Sequence, residues 1–210
     1  MRKIKAEIIK YSKMLNSRNL SALRSGNISV RYKDGFLITP SGKKYSSLKN
    51  QDIVFVSLEG KFDRKKGIPS SEWKFHQDIY RNKKEAEAIV HSHSTNATAV
   101  SSHKRGIPPF HYMVAMAGGH DIKCAKYATF GTRDLSKNIL KALKGRKACL
   151  IANHGQIAFE ENLSKAFELA EEVENISLQY ITSFKLGKPK ILSINEMKKV
   201  LSKAKNYKKG

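Results

Sequence analysis

Apolar residues recur every three or four positions in several segments of the chain, which is typical of amphipathic helices. In the N-terminal segment the repeat consists of Ile4, Ile8, Tyr11 and Leu15. A longer repeat of the same kind runs through the last third of the chain. The predicted helices cover residues 3–16, about 70–82, a short segment from about 96, 133–145 and about 162–186.

Two helix boundaries are marked by residue type. The segment Pro69-Ser70-Ser71-Glu72 is typical of a helix start, with a serine as the N-cap and an acidic residue in the first turn. Gly145 is predicted to end the helix over residues 133–145, because glycine readily adopts the left-handed backbone that closes a helix.

Short apolar runs bounded by turn residues predict strands. Two hairpins are expected: the first turns at Lys33-Asp34-Gly35 and the second at Glu59-Gly60. The predicted strands are NISVRY (27–32), GFLITP (35–40), DIVFVSL (52–58), KFD (61–63), EAIVHSHS (87–94), the weaker KYATF (126–130), ACLIAN (148–153) and QIAFE (156–160). Strand pairs with helices at intervals indicate an α/β fold, a three-layer α/β/α sandwich around a central, mainly antiparallel sheet. We expect residues 1–210 to form one domain with a basic C-terminal tail from about 187 to 210.

Composition narrows the class of protein. The 210 residues are 40% hydrophobic, which suits a sizeable core. No apolar run approaches the ~20 residues that span a bilayer, and the charged N-terminus lacks the features of a secretory signal. The two cysteines, Cys124 and Cys149, do not form a disulfide framework or a zinc motif, so we expect a cytoplasmic protein without a membrane partner.

The net charge of +22 raises the question of a nucleic-acid partner. Lysines make up most of the basic residues and are scattered from end to end, with their densest region in residues 181–210. The sequence contains no motif of a common nucleic-acid-binding fold. We therefore expect a solvated basic surface, whose field would help collect a phosphorylated metabolite.

Three histidines and one glutamate are candidate metal ligands. In a strand, His91 and His93 point the same way, so their rings can converge on one ion. His154 lies in a tight turn between two predicted strands, and Glu72 lies at a predicted helix start. Each alone has a plain structural explanation: polar strand residues, a turn histidine, or a carboxylate favoured by the helix dipole. Together they form a suitable ligand set for Zn²⁺ or another divalent transition metal.

Three clusters of small polar residues and glycine precede these ligands in the sequence. They are RSGNIS (24–29), TPSGKK (39–44) and PSS (69–71). Such segments expose backbone N–H groups and hydroxyls, and the helix start at the third cluster adds a partial positive charge. Each alone is typical of an ordinary turn, but together they predict a phosphate site without a Walker motif.

In their order along the chain, five short motifs resemble those of the class II aldolase/adducin family. The resemblance covers roughly residues 5–185. Within the family, the segment IPPFHYMVAMAGG (107–119) resembles the aldolases that cleave ketose 1-phosphates such as L-fuculose 1-phosphate. The five motifs are Ser25–Ser29, Ile38–Gly42, Pro69–Glu72, His91–His93 and Asn153–Gly155.

The resemblance implies a role for each matching residue. His91, His93 and His154 would bind the zinc with Glu72, which would also be the general acid/base. Tyr112 would reach the active site of a neighbouring subunit in a C4 homotetramer, and Tyr207 is a weaker match to a second tyrosine. The residues in the segments that would hold the substrate phosphate are Gly26, Asn27, Thr39, Ser41, Gly42, Ser70 and Ser71.

The implied reaction splits a ketose 1-phosphate between C3 and C4 into dihydroxyacetone phosphate and an aldehyde. A divalent metal would stabilise the enediolate as a Lewis acid, and Glu72 would move the proton at C3. Three alternatives stay open within the family: an L-ribulose-5-phosphate 4-epimerase, a methylthioribulose-1-phosphate dehydratase and a non-catalytic adducin-like scaffold. The epimerases typically carry aspartate at the position of Glu72, and the scaffolds lack the metal histidines.

Overall fold

A seven-stranded sheet forms the centre of the protein, whose computed structural model describes residues 1–207, with side chains described as far as residue 204. The strands are β1 Asn27–Tyr32, β2 Gly35–Ile38, β3 Val54–Ser57, β4 Ala88–Ser92, β5 Cys124–Ala125, β6 Ala148–Ile151 and β7 Gly155–Glu160. They are arranged in the order β3-β2-β1-β4-β7-β6-β5. All neighbouring strands are antiparallel except β5 and β6, which are parallel.

Residues 1–207 contain six α-helices, which pack around this sheet. They are α1 Arg2–Ser17, α2 Trp73–Asn82, α3 Thr95–Ser102, α4 Arg133–Ala142, α5 Leu163–Ser183 and α6 Ile194–Tyr207. None of the described helices is both long and apolar enough to cross a membrane.

Strand β4 shows how the sequence builds three layers. Val90 belongs to the apolar cluster that packs under α1, α3 and α5, whereas Ile89 belongs to the cluster under α2 and α4. His91 follows the same alternation and faces α2, where its ring meets that of Phe75 edge-on, with centroids 5.4 Å apart. The predicted three-layer α/β/α sandwich with a mainly antiparallel sheet is confirmed.

Two predicted strands are wrong. The second hairpin does not form: Ser57 N donates to Lys61 O, but residues 61–63 make no strand. The side chain of Phe62 packs instead against Trp73, with ring centroids 6.0 Å apart. Residues 126–130 are also not a strand, because the short edge strand β5 ends at Ala125 and the chain continues as a loop.

Two helix boundaries and one further helix also differ from expectation. The N-cap position of α2 is Glu72 and not a serine; its side chain makes no capping bond and turns towards the histidines instead. Helix α4 ends at Ala142, before the turn that contains Gly145. The segment expected as a basic tail contains α6, anchored by the buried Met197.

Candidate metal centre and substrate cavity

Four side chains from separate parts of the fold meet at one end of the sheet. His91 lies in β4 and His93 directly after it, His154 lies in the turn between β6 and β7, and Glu72 lies at the start of α2. One potential ligand atom from each of them lies within 4.8 Å of the other three. The structure thus brings together all four residues that the sequence predicts as metal ligands.

The contacts within this cluster are close. His91 Nε2 lies 3.2 Å from Glu72 Oε2, and His154 Nε2 lies 3.2 Å from Glu72 Oε1. The Nε2 atoms of His91 and His93 are 3.0 Å apart. The donor atoms of the cluster therefore converge on a common centre, as ligands of a single ion do.

The turn that holds His154 depends on backbone conformation and close packing. Asn153 adopts the left-handed region at φ 54°, which asparagine tolerates better than most residues. A Cβ atom at Gly155 would lie 2.3 Å from Ser92 O, so only glycine allows the turn to approach the end of β4. This close approach brings His154 next to His93.

The hydrogen bond made by Nδ1 of His91 determines which nitrogen of the ring carries the N–H group. Nδ1 donates to the backbone oxygen of Gln156 at 2.7 Å, which leaves Nε2 with a lone pair that faces the cluster. The side chain of Gln156 is itself held by bonds from Nε2 to Ser94 Oγ and to Ala170 O, each 2.9 Å long. A backbone partner of this kind is the usual means of orienting a metal-binding histidine.

Glu72 is ionised although it is 6% exposed. Burial opposes ionisation, but the neighbouring imidazoles of His91 and His154 outweigh it and lower the pKa of Glu72 well below its usual range. Oε2 also accepts a 3.0 Å hydrogen bond from Asn27 Nδ2. Oε1 accepts no well-aligned hydrogen bond from the part of the chain that the structure describes, as expected of an oxygen suited to a cation.

His93 completes the set of nitrogen donors in the cluster. Burial and the adjacent His91 and His154 rings lower the pKa of His93 to about 3, so its ring is neutral at physiological pH. Three imidazoles and one carboxylate suit Zn²⁺ and related divalent transition metals. The residues therefore fit the metal site that the sequence predicts.

The cluster opens onto a cavity of about 360 Å³. Glu72, His93 and His154 line it, whereas His91 is fully buried behind them. Six of the seven predicted phosphate-site residues also line this cavity: Gly26, Asn27, Ser41, Gly42, Ser70 and Ser71.

The loop at Gly26 passes close to the metal cluster. Gly26 has φ 79°, and a Cβ there would lie 2.7 Å from both His91 O and Ser21 Oγ. The buried Tyr45 hydroxyl donates to Gly26 O and holds the loop from below. Any larger residue at this position would clash with the backbone of β4 at His91.

Two predicted site residues do not line the cavity of their own chain. Thr39 is buried beneath the cavity, where its hydroxyl accepts a 3.3 Å hydrogen bond from Ile28 N and joins β1 to the end of β2. Tyr112 lies in a 3₁₀ segment, Tyr112–Ala117; it is 54% exposed and does not line the cavity. The side chain of Tyr207 lies outside the described residues.

The cavity contains residues that the sequence patterns did not single out. Arg24 lines its rim and donates to Gly42 O at 2.9 Å, which joins two of the polar loops. Arg24 could have been predicted from the sequence, because it lies close to the glycine of the RSGNIS cluster and a cationic side chain next to a polar loop favours the binding of an anion. Tyr127 and Phe130 were missed because their segment resembles a strand, and Asn153 was seen only as a turn residue.

Comparison with known proteins extends these observations. The chain is 47% identical over 206 residues to L-fuculose phosphate aldolase of Escherichia coli (strain K12), covering 98% of this chain and 95% of that protein. It is 46% identical over 200 residues to a 5-methylthioribulose-1-phosphate/5-deoxyribulose-1-phosphate aldolase of Rhodospirillum rubrum, covering 95% and 90%. A solved L-fuculose 1-phosphate aldolase superposes with a TM-score of 0.94 at 39% identity, covering 98% of this chain and 97% of the other.

The family profile agrees with these relatives and with the arrangement of the histidines. The profile described as Class II Aldolase and Adducin N-terminal domain matches residues 6–181, which include every element from β1 to β7 and all four clustered ligands. This chain belongs to the class II aldolase and adducin family.

Proposed function

We propose that this protein is a metal-dependent aldolase that reversibly cleaves a ketose 1-phosphate into dihydroxyacetone phosphate and an aldehyde. The observation that carries the proposal is the shared cavity: His93, His154 and Glu72 form one wall with His91 buried behind it, and six residues of the polar loops form another. This arrangement suits a substrate with a phosphate at one end and oxygens to be polarised a few ångströms away. The similarity to two kinds of ketose-1-phosphate aldolase supports the same reaction.

His91, His93, His154 and Glu72 would hold the metal, for which we propose Zn²⁺. When bound, the metal supplies a Lewis acid that stabilises the negative charge left on the enediolate after C–C cleavage. Glu72 moves the proton at C3, because it is the carboxylate that lines the cavity beside the histidines. The polar loops bind the phosphate and hold the substrate in register.

The aldehyde half of the substrate separates two candidates. The relatives are named for L-fuculose phosphate on one side and for 5-methylthioribulose 1-phosphate or 5-deoxyribulose 1-phosphate on the other, at nearly equal identity. A single methylene changes specificity by only ~1–3 kcal/mol, so the aldehydes of all three substrates remain candidates. The deciding measurement is a screen of these ketose 1-phosphates with the purified, zinc-loaded protein.

The expected product in this screen is dihydroxyacetone phosphate, and the substrate with the highest kcat/KM identifies the aldehyde. A product of unchanged mass with inverted configuration would instead indicate an epimerase, and loss of water would indicate a dehydratase. If metal-loaded protein released no dihydroxyacetone phosphate from any of the three substrates, the proposal would be wrong.

We expect Arg24→Gln to raise KM for the phosphorylated substrate by roughly five- to tenfold, with little change in kcat. Arg24 is the only arginine or lysine among the described residues that line the cavity. A charged hydrogen bond to phosphate is worth about 1.5–3 kcal/mol at most, and the exposure of Arg24 reduces that value. KM should be measured as a function of ionic strength. With increasing salt, the KM of the wild type should rise more steeply than that of Arg24→Gln.

The matched control for Arg24 is Arg18→Gln. The Arg18 side chain is 62% exposed, contacts Glu171 and does not line the cavity, so KM should not change. Equal KM values for wild type and Arg24→Gln would remove Arg24 from phosphate binding.

We propose that Tyr112 acts in the cavity of an adjacent subunit of a homotetramer, since it is exposed and outside its own cavity. Tyr112→Phe should keep the metal and the tetramer but slow C–C cleavage, because it removes only the hydroxyl that exchanges a proton with the departing aldehyde. Proton exchange at C3 of dihydroxyacetone phosphate should persist, because it requires only the metal and Glu72.

Mixed tetramers give the sharper test of Tyr112. Inactive Tyr112→Phe chains combined with inactive Glu72→Gln chains should regain partial activity, because some sites then take an intact glutamate from one chain and an intact tyrosine from the next. If verified mixed tetramers stayed inactive, Tyr112 would act within its own subunit or not at all.

A further inference from the structure

A row of buried polar side chains leads from Glu72 into the layer between the sheet and α2. Asn27 and Ser29 come from β1, and His76 and Tyr80 come from α2. All four are at most 2% exposed. Burying four polar side chains in an apolar layer costs free energy unless each is hydrogen-bonded, so their partners identify their role.

These side chains form one continuous series of hydrogen bonds. Asn27 Nδ2 donates to Glu72 Oε2 at 3.0 Å, and Asn27 Oδ1 contacts His76 Nε2. On the other side of the ring, His76 Nδ1 lies 2.7 Å from Ser29 Oγ. Ser29 Oγ in turn lies 2.8 Å from the Tyr80 hydroxyl.

The end of the series at Glu72 fixes the direction of every bond in it. A carboxylate that ligates a metal carries no proton and only accepts, so Asn27 presents its NH₂ group to Glu72 and its oxygen to His76. Complete burial lowers the pKa of His76 to about 3, so its ring is neutral and carries one N–H. That N–H must be on Nε2, because Asn27 Oδ1 can only accept.

The rest of the series follows from the same reasoning. With its proton on Nε2, His76 accepts at Nδ1 from the Ser29 hydroxyl, and Ser29 accepts from Tyr80. Every donor then points towards Glu72, and each bond polarises the next. A carboxylate held in this way keeps Oε2 bound and leaves Oε1 facing His154.

We propose that His76 is a positioning residue, which fixes the amide of Asn27 as a donor and thereby holds Glu72 in the orientation it needs for proton transfer. The inference rests on the proposed function for its effect on turnover, but the hydrogen-bond direction can be tested independently. The alternative is a packing role only, since the His76 ring stacks on Phe75 with centroids 4.8 Å apart.

Three substitutions of His76 separate positioning from packing. In His76→Gln the side-chain amide can replace Nε2–H and still donate to Asn27. In His76→Asn the shorter amide can replace Nδ1 but does not reach Asn27. In His76→Phe the stacked ring remains, but both nitrogens are lost. We expect kcat to fall about 10–100-fold in the Asn and Phe variants, as is typical when the partner of an active-site ligand is removed, and much less in the Gln variant.

A packing role would give a different order. It would make His76→Phe the best tolerated variant, and kcat would follow the melting temperature across the three variants. Positioning instead predicts loss in kcat with nearly unchanged KM and unchanged metal content at saturating Zn²⁺, with the Gln variant as the most active. If His76→Phe retained wild-type kcat, the inference would be wrong.

A second measurement does not depend on activity. In the metal-loaded wild-type protein the Asn27 side-chain NH₂ should give ¹⁵N-resolved proton signals that are protected from exchange with water. That protection should persist in His76→Gln and fall at least about tenfold in His76→Phe. An unprotected Asn27 amide in the wild type would overturn the positioning role, whereas protection without any aldolase activity would overturn only the proposed function.

A matched pair of serines gives the control. Ser29 and Ser12 are both fully buried, but the Ser12 hydroxyl bonds only to Ile8 O of its own helix, at 2.7 Å. Ser29→Ala should lower kcat several-fold, because it leaves His76 Nδ1 without its donor, while Ser12→Ala should leave kcat unchanged. Equal kcat values for the two variants would contradict the series of directed bonds.

Discussion

Replacing Glu72 with glutamine is expected to lower kcat at least ~100-fold, the low end for general acid/base catalysis, while the fold survives. Glutamine keeps the shape of the side chain and can still accept from Asn27, but it cannot take the proton at C3. The carboxylate makes no capping bond to α2, and a charge at a helix start adds only ~0.3–1 kcal/mol to stability, so the melting temperature should stay near that of the wild type.

The control for this prediction is Asp134→Asn. Asp134 lies in the first turn of α4 with a side chain that is 78% exposed, so it is also an acidic residue at a helix start but does not line the cavity. Its replacement should leave kcat unchanged. A Glu72→Gln enzyme that kept most of its activity would show that another group moves the proton.

Loss of a metal ligand is the second large effect. His93→Ala and His154→Ala should each weaken metal binding by more than ~10–100-fold, the loss that is typical when a residue hydrogen-bonded to a metal ligand is replaced. Activity should fall in parallel with metal content. The reason is geometric, because each imidazole supplies one of only four donors in the cluster. Elemental analysis after dialysis should find about one ion per wild-type chain and far less in the two variants.

Histidines outside the cluster serve as controls. His103→Ala and His120→Ala should retain the wild-type metal content, because neither belongs to the group of ligands that converge. The same content is expected for variants of His76 and His111. Full metal occupancy in both His93→Ala and His154→Ala would exclude the proposed site.

Part of the fold could be predicted from local sequence patterns. The repeat in α1 and the alternation in β4 were predicted to within a residue or two, because each depends on which face of one element is apolar. Helix α6 was missed although Met197, Val200 and Leu201 have helical spacing, since the many lysines made the segment resemble a solvated tail. The second hairpin was wrong because a turn at Glu59-Gly60 does not decide what Phe62 packs against.

The candidate site, like the fold, could be predicted only in part from the sequence. Its residue types and motif order are a property of the sequence, so His91, His93, His154 and Glu72 could be named, and the family likeness identified, before any fold was known. The sequence alone also determined the alternation that turns His91 towards α2. Only the tertiary structure decided that Arg24 and Tyr127 share the cavity, that Thr39 lies beneath it, and that His76 reaches Glu72 through Asn27. The physical reason is that side chains far apart in the sequence, such as Asn27 and Glu72 at a separation of 45 positions, meet only through strand pairing and helix packing, which short-range patterns do not specify.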